Sequence, residues 1–319
     1  MIYWILFQRR PGEIVGDYRS IEKNCPDLLN VLLKDMMTGR NIIWATNDYE
    51  RFGEKYGALQ EITRDLLIDE RSNVIQPSNL KSAQHKKMRV REKAEIFTPS
   101  WLCNEQNNLI DEIWFGRANI FNKVVDEQKH IWQPTSEKIF FDDGRNWKTY
   151  VKANRLEVAC GEAPYLVSRY DTVSGVTIPV ENRIGLLDRK LRVVGENTSG
   201  VEDWLHWAKK SLQSVYAYEF QGDNLFIARC NIFFTVKEFF FKKYNFECDV
   251  YQNFLEEVAE IISWNLWQMD GLTNAIPYYE PPKKDFVQLS LFEPENVYCR
   301  IKDWQTDEVL EYRSLMKGA

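Results

Sequence analysis

Residues 155–165 hold the combination of residue types that most suggests chemistry. An apolar strand signal ends there in Glu157, and a turn of small residues follows at Cys160 and Gly161. Glycine has no Cβ and adopts positive φ readily, so backbone amides at such a turn can approach a ligand closely. Parallel sheets bind cofactors at the edge where their strands end in turns of this kind. The segment therefore predicts a site for a nucleoside-type cofactor.

Two more acids follow at the predicted ends of later strands. Glu219 ends an apolar run that begins at Val215, and its carboxylate can accept hydrogen bonds from both hydroxyls of a ribose. Asp270 precedes Gly271 after a third apolar run. Asp-Gly is also among the commonest turn pairs, so Asp270 is equally well interpreted as a turn former.

A third candidate segment, Phe97-Thr98-Pro99, lies upstream of the turn. Threonine followed by proline is typical of a helix start, with Thr98 at the N-cap and Pro99 at the first helical position. The segment is thus either a plain helix start or part of the cofactor site. If it belongs to the site, it must pack beside Gly161 despite the long stretch of chain between them.

These segments, in this chain order, resemble the adenine-N6 DNA methyltransferases of restriction-modification systems, in particular the chains called restriction endonuclease subunit M. The resemblance runs from about residue 33 to the C-terminus. It implies an S-adenosylmethionine cofactor, with Phe97 to Pro99 at its methionine part, Glu219 at its ribose and Asp270 at its adenine amino group. The residues that match the family's cofactor motifs are Phe97, Thr98, Pro99, Glu157, Cys160, Gly161, Glu219 and Asp270.

The chain departs from the family pattern in two places. The turn carries Ala163 and Pro164 where the family usually has a second glycine, which predicts a stiffer loop. The family's catalytic signature, Asn or Asp followed by Pro, Pro and an aromatic residue, is absent. Residues 274–278 and 285–294 occupy that place in chain order, and neither segment reproduces the signature. In the loop of residues 274–280, Asn274, Pro277 and Tyr278 offer an amide, a backbone carbonyl and a phenol as acceptors for the protons of a target amine. A proline-rich surface loop is the alternative for this segment.

The resemblance implies methylation of adenine in DNA, with DNA as a partner and a specificity or restriction subunit as a further one. The missing signature favours an alternative, a catalytically silent methyltransferase-fold subunit that binds cofactor or DNA and acts in assembly or recognition. Methylation of another substrate is a third possibility.

Composition and charge restrict how such a protein could bind DNA and where it could reside. The 319 residues carry a net charge of −6, so DNA must be contacted through a local basic surface rather than through overall charge. Six scattered cysteines and three histidines form no zinc pattern, and a reduced, cytoplasmic chain is expected. The apolar N-terminus, Met1 to Phe7, is far shorter than a membrane helix requires and predicts an opening strand or a buried anchor.

The order of elements predicts an α/β fold, a Rossmann-like methyltransferase core at residues 94–319 behind an N-terminal accessory region at residues 1–93. Residues 119–152 are expected to form a loop-rich insertion. Strand and helix signals alternate after residue 155, which indicates crossover connections and a parallel sheet. Residues 81–93 are the strongly basic stretch of the chain and favour equally a phosphate-binding surface or a solvated helix face.

Overall fold

The computed structural model describes residues 18–68, 74–93, 95–142, 144–278 and 297–316. The helices are α1 Tyr18–Asn24, α2 Pro26–Leu33, α3 Arg64–Ile68, α4 Ala83–Lys93, α5 Ser100–Phe115, α6 Trp147–Lys152, α7 Leu186–Asn197, α8 Val201–Leu212, α9 Gly222–Tyr244, α10 Gln252–Asn265 and α11 Tyr312–Met316. The strands are β1 Asn122–Asp126, β2 Ile131–Pro134, β3 Arg155–Glu157, β4 Val215–Glu219, β5 Leu266–Gln268, β6 Arg300–Asp303 and β7 Glu308–Glu311.

Three parallel strands, in the order β3-β4-β5, form the sheet that positions the predicted site. Glu157 pairs with Ala217, and Glu219 pairs with Gln268, so the carboxyl ends of the strands meet at one edge. Every residue of the middle strand, β4, is buried. A strand covered on both faces needs a continuous run of apolar and aromatic residues, which the sequence of β4 supplies up to its final acid. The mixture of helices with a small parallel sheet is compatible with the predicted α/β class.

The helices between the strands make the core. α7 and α8 connect β3 to β4, while α9 and α10 connect β4 to β5. α9 is buried along most of its length, because it packs against the sheet and against α2, α7 and α10. The core includes Trp204, Phe226, Leu255 and Ile262, all nearly inaccessible to solvent.

The described part of the predicted accessory region shares this core. Leu29 and Leu32 of α2 belong to the same apolar cluster as the helices around the sheet. Arg229 of α9 is fully buried and donates to the carbonyl oxygens of Leu32 at 2.7 Å and Leu266 at 2.6 Å, which joins α2 to β5. The boundary at residue 93 stays a prediction, and the predicted opening strand at Met1 lies outside the described residues.

The predicted loop-rich insertion contains regular elements. β1 and β2 form an antiparallel hairpin with an irregular register between Val124 and Asp126. The helix α6 follows, and the side chain of Asn146 caps it by accepting from the amide of Thr149 at 3.0 Å. A second antiparallel hairpin, β6 and β7, lies near the C-terminal end of the described residues.

The sequence predicts the third strand of the sheet near residues 263–269, and β5 lies within that range at Leu266–Gln268. Trp264, expected in a buried strand, is instead helical and half-buried, because α10 runs to Asn265. Asp223, a predicted cap of α9, lies inside the first turn of that helix, and its carboxylate bonds to cations. Of the helices in the described ranges, none combines the length and the apolar character needed to cross a membrane.

Candidate functional site

Glu157 ends β3 and binds the loop that follows the turn. One carboxylate oxygen accepts from the amide of Tyr165 at 3.3 Å and the other from the amide of Leu166 at 3.1 Å. Burial raises the pKa of Glu157 to about 8, because water is excluded, and the nearby carboxyl of Glu219 adds to the shift. Glu157 therefore fixes the backbone of the loop at Tyr165 and Leu166.

The turn itself is strained at alternate residues. Ala159, Gly161 and Ala163 have φ of 49°, 54° and 63°, the left-handed region that favours glycine. Non-glycine residues in this region cost free energy and cluster at functional sites. Ala163 thus adopts a backbone conformation that favours glycine. Apart from its two chain neighbours, no atom of the described residues lies within 4 Å of the position that a Cβ of residue 161 would take, which leaves space above the turn.

Glu219 lies at the carboxyl end of β4, beside β3, as predicted. Its Oε2 accepts from the amide of Gly161 at 2.8 Å, and its Oε1 accepts from the amide of Gln221 at 3.1 Å. The side chain is buried, and burial raises its pKa. The structure thus brings Glu157, Glu219 and the turn at Cys160 and Gly161 together at one sheet edge.

Phe97-Thr98-Pro99 joins the loop that leaves the turn. The carbonyl oxygen of Thr98 accepts from the hydroxyl of Thr172 at 2.7 Å. Thr172 lies in the loop that follows the turn at Cys160 and Gly161. The packing of Phe97 to Pro99 beside Gly161 itself stays a prediction.

The predicted cap of α5 is wrong in detail. The helix begins at Ser100, Pro99 occupies the N-cap position, and no side-chain cap comes from Thr98. Instead the carboxylate of Asp171 accepts from the amide of Ser100 at 2.6 Å. A residue distant in sequence performs this role, which explains why the local pattern misplaced it.

Asp270 forms a turn. Its Oδ1 accepts from the amide of Leu272 at 2.8 Å, its amide donates to the carbonyl oxygen of Ala275 at 2.9 Å, and its carbonyl oxygen accepts from the amide of Asn274 at 2.7 Å. These contacts show the turn-forming role that the sequence left open. A role at the cofactor's adenine stays a prediction.

The predicted catalytic loop reaches the same edge. Asn274 closes the turn with φ of 58°, Pro277 is buried, and Tyr278 is exposed. The ring of Tyr278 lies 5.8 Å from the ring of Phe220, edge to face, and Phe220 directly follows Glu219. Residues 279 and 280 of the predicted loop lie outside the described residues.

An ion cluster that the sequence did not predict lies directly beyond Glu219. The Arg89 guanidinium donates to Asp223 at 2.9 Å, to Asp48 at 3.1 Å, and also to Glu95 and Gln221. Lys81 and the hydroxyl of Tyr49 add further bonds to Asp223, at 3.2 Å and 2.6 Å. Burial opposes the charge on Asp223, but the two cations outweigh it and hold the pKa of this carboxyl well below its usual range. Lys81 and Arg89 of the basic stretch are therefore structural.

Glu162 is a second residue that the sequence did not single out. It follows Gly161, is buried, and accepts from the amide of Ser78 and from the hydroxyl of Tyr170 at 2.6 Å. Asn231 of α9 donates to its backbone carbonyl oxygen at 3.1 Å. Glu162 thus fastens the turn to the segment before α4. Its position next to the turn glycine was the signal that could have identified it.

Over the described ranges, no group of three or more His, Cys, Asp or Glu side chains could hold a metal ion. Comparison of the chain with protein-family models, with curated proteins and with solved structures gives no match.

Proposed function

We propose that this chain is an S-adenosylmethionine-dependent DNA adenine-N6 methyltransferase built on a Rossmann-like core. The observation that carries the proposal is the position of Glu219, at the end of the middle parallel strand and on the amide of the Gly161 turn. Ligands of open parallel sheets bind outside the carboxyl ends of the strands, beside such turns. The resemblance to subunit M of restriction-modification systems supplies the identity of the cofactor and substrate.

The chemistry of Glu219 fits the ribose of this cofactor. Each carboxylate oxygen accepts one backbone amide, and an ionised carboxylate has about four acceptor positions. Acceptor capacity therefore remains for two hydroxyl donors. A buried carboxyl with a raised pKa gains from such donors, because hydrogen bonds to the charged form favour ionisation.

Aromatic rings at the same edge fit the planar adenine of the cofactor or of the target. Phe220 is half-buried and Tyr278 is exposed, and both lie next to Glu219 in the structure. An aromatic ring can stack on any of the bases, and each stacked base contributes about 1–3 kcal/mol to the free energy of binding. Phe97, half-buried, offers a further ring on the Thr98 side of the loop.

Methyl transfer to an exocyclic amine requires that the amine be held in place and that its proton find an acceptor. Bound S-adenosylmethionine would supply the methyl group. The amide oxygen of Asn274, the carbonyl oxygen of Pro277 and the hydroxyl of Tyr278 are our candidates for acceptors, since they belong to the loop at the cofactor edge. DNA specificity belongs, in this proposal, to a partner subunit.

One observation favours the second candidate, a silent subunit of the same fold. The backbone of Asn274 is fully engaged, its amide with Asp270 and its carbonyl oxygen with the amide of Cys299 at 2.9 Å. The loop is thus fixed as a turn and lacks the compact Asn-Pro-Pro-aromatic order of the related family. This candidate binds cofactor or DNA and transfers no methyl group.

The test measures cofactor binding first and methyl transfer to DNA second. The purified chain is titrated with S-adenosylmethionine by calorimetry, and then incubated with tritium-labelled cofactor and mixed genomic DNA. Binding with label in adenine supports the methyltransferase. Binding without label selects the silent subunit. Absence of cofactor binding rejects the methyltransferase and leaves, for the silent subunit, only the form that binds DNA.

A further inference from the structure

The helix α4 carries positive charge on two faces that have different surroundings. Arg89 is fully buried in the cluster around Asp223, whereas Lys87 and Arg91 are exposed. At 3.6 residues per turn, Lys87 and Arg91 each lie about 160° around the helix from Arg89 and only about 40° from each other. They form one outer basic face, Lys87 with Arg91, on the side opposite the cluster.

Among the side chains that the structure describes, no carboxylate forms an ion pair with Lys87 or Arg91. The ion pairs of α4 within those residues involve Arg89, and Lys81 just before the helix, but not Lys87 or Arg91. Lys86, beside them, is half-buried, and its ammonium lies 5.9 Å from the centre of the Phe97 ring. The patch is therefore cationic and continues onto the Phe97 segment.

The ion cluster fixes where the outer face lies. Arg89 bonds to Gln221 and Asp223, which follow Glu219 at the carboxyl end of β4. The helix is thus fastened at the sheet edge where we place the cofactor, and Lys87 and Arg91 are directed outward from that edge. Because Lys81 and Arg89 are already paired, the exposed Lys87 and Arg91 of the outer face remain able to bind an anion.

We propose that the outer basic face of α4 binds the phosphate backbone of duplex DNA; this inference rests on the proposed function. A chain with a net charge of −6 repels a polyanion overall, so binding requires a local cationic surface near the reacting edge. Lysine and arginine bind phosphates without reading sequence. The face therefore positions DNA over the cofactor edge and leaves base recognition to other residues.

The test compares two double variants of equal charge change. In Lys87→Glu/Arg91→Glu the outer basic face is reversed. In Lys148→Glu/Lys152→Glu the same change is made on α6, at an exposed pair with the same four-residue spacing. Since α6 leads directly into β3, this control pair lies at the opposite, amino end of the sheet. Binding of a mixed-sequence duplex is measured by fluorescence anisotropy from 50 to 300 mM salt, with thermal unfolding as the check on folding.

We expect the α4 variant to bind the duplex about tenfold or more weakly at 100 mM salt. The slope of log Kd against log salt should decrease by about 2, one for each lost phosphate contact. The α6 variant should keep the affinity and slope of the parent. Calorimetric titration with S-adenosylmethionine should give the same affinity in all three proteins.

Three results would overturn the inference. These are equal weakening by both double variants, an unchanged salt slope in the α4 variant, and no binding of duplex DNA by the parent at 50 mM salt. Stronger binding of single-stranded RNA than of the duplex, lost in the α4 variant, would assign the face to RNA instead. If the parent protein does not bind S-adenosylmethionine, the proposed function is rejected. This outcome is distinct from failure of the DNA inference, because the calorimetric titration contains no DNA.

Discussion

Two groups of buried acids lie side by side in this molecule and are satisfied in opposite ways. Glu157 and Glu219 accept hydrogen bonds from backbone amides, and burial raises the pKa of both, that of Glu157 to about 8. Asp223 faces Arg89 and Lys81, and these cations hold its pKa well below its usual range. Carboxyl groups are therefore bound by uncharged backbone amides in one group and by cations in the other.

The difference indicates which group is available to a ligand. Asp223 already has two cations and a tyrosine hydroxyl, so a ligand would have to displace a strong interaction. Among the described residues, the hydrogen-bond donors to Glu157 and Glu219 are neutral, and additional donors from a ligand would stabilise the charge of these carboxylates. The paired cluster fixes the N-terminal segment against the sheet, and the amide-bound acids mark the edge where our proposal places a ligand.

The largest expected effect comes from breaking the paired cluster. Arg89→Met removes the main cation from Asp223 and leaves a buried, uncompensated charge, which typically costs about 3–5 kcal/mol in the free energy of unfolding. Urea unfolding at pH 7 measures it. Lys87→Met, on the exposed face of the same helix, should change stability by about 0.5 kcal/mol or less. A loss below about 1 kcal/mol for Arg89→Met would show that the cluster is not a structural anchor.

The next prediction concerns methyl transfer at the carboxyl edge of the parallel sheet, where we place the ligand. Asn274→Gly removes the amide while keeping the left-handed backbone at this position without strain, unlike alanine. If Asn274 positions the target amine, we expect transfer to fall about 100-fold or more with cofactor affinity unchanged. Thr273→Ala, at the exposed neighbouring residue, is the control. Tyr278→Ala should likewise reduce transfer, and normal transfer in both loop variants would place the acceptors elsewhere.

A smaller effect concerns how the free energy of unfolding depends on pH, which should differ between the two groups of acids. The pKa of Glu157 in the folded chain, about 8, lies above the value of about 4.3 for an unfolded glutamate, so the native state binds the extra proton between these values. The stability from this group is fully present below about pH 4 and is lost as pH rises through about 8. Glu157→Gln removes this dependence.

Urea unfolding at several pH values between 5 and 8 measures this difference. The stability of the parent minus that of Glu157→Gln should fall with rising pH, by at most about 1.4 kcal/mol per pH unit. A difference for Glu157→Gln that rises with pH would reverse our account of this carboxyl.

The sequence predicts the ligand edge better than the paired cluster. Glu219 was placed at a strand end because Val215 to Tyr218 is continuously apolar, and β4 ends where that pattern ends. A local periodicity determines such a boundary. The boundary at β5 was missed because Trp264 and Trp267 give no periodic difference between the end of a buried helix and the start of a short strand.

The cluster could not be predicted from local patterns. Arg89 and Asp223 meet from segments far apart in the chain, and the basic run around Arg89 has the composition of a solvated helix face. The same holds for Asp171, which caps α5 from a distant loop in place of Thr98. Charge pairs of this kind follow from the tertiary arrangement, which a single sequence does not specify.

The most direct test of the central claim is calorimetric titration of three proteins with S-adenosylmethionine: the parent, Glu219→Gln and Glu202→Gln. The Glu219→Gln side chain keeps an acceptor for a backbone amide but loses the charge that binds the ribose hydroxyls. Hydrogen bonds to charged groups contribute about 1.5–3 kcal/mol, so we predict that Kd rises about 10- to 150-fold in Glu219→Gln and is unchanged in Glu202→Gln. Equal affinity in all three proteins would contradict the assignment of this sheet edge as the cofactor site.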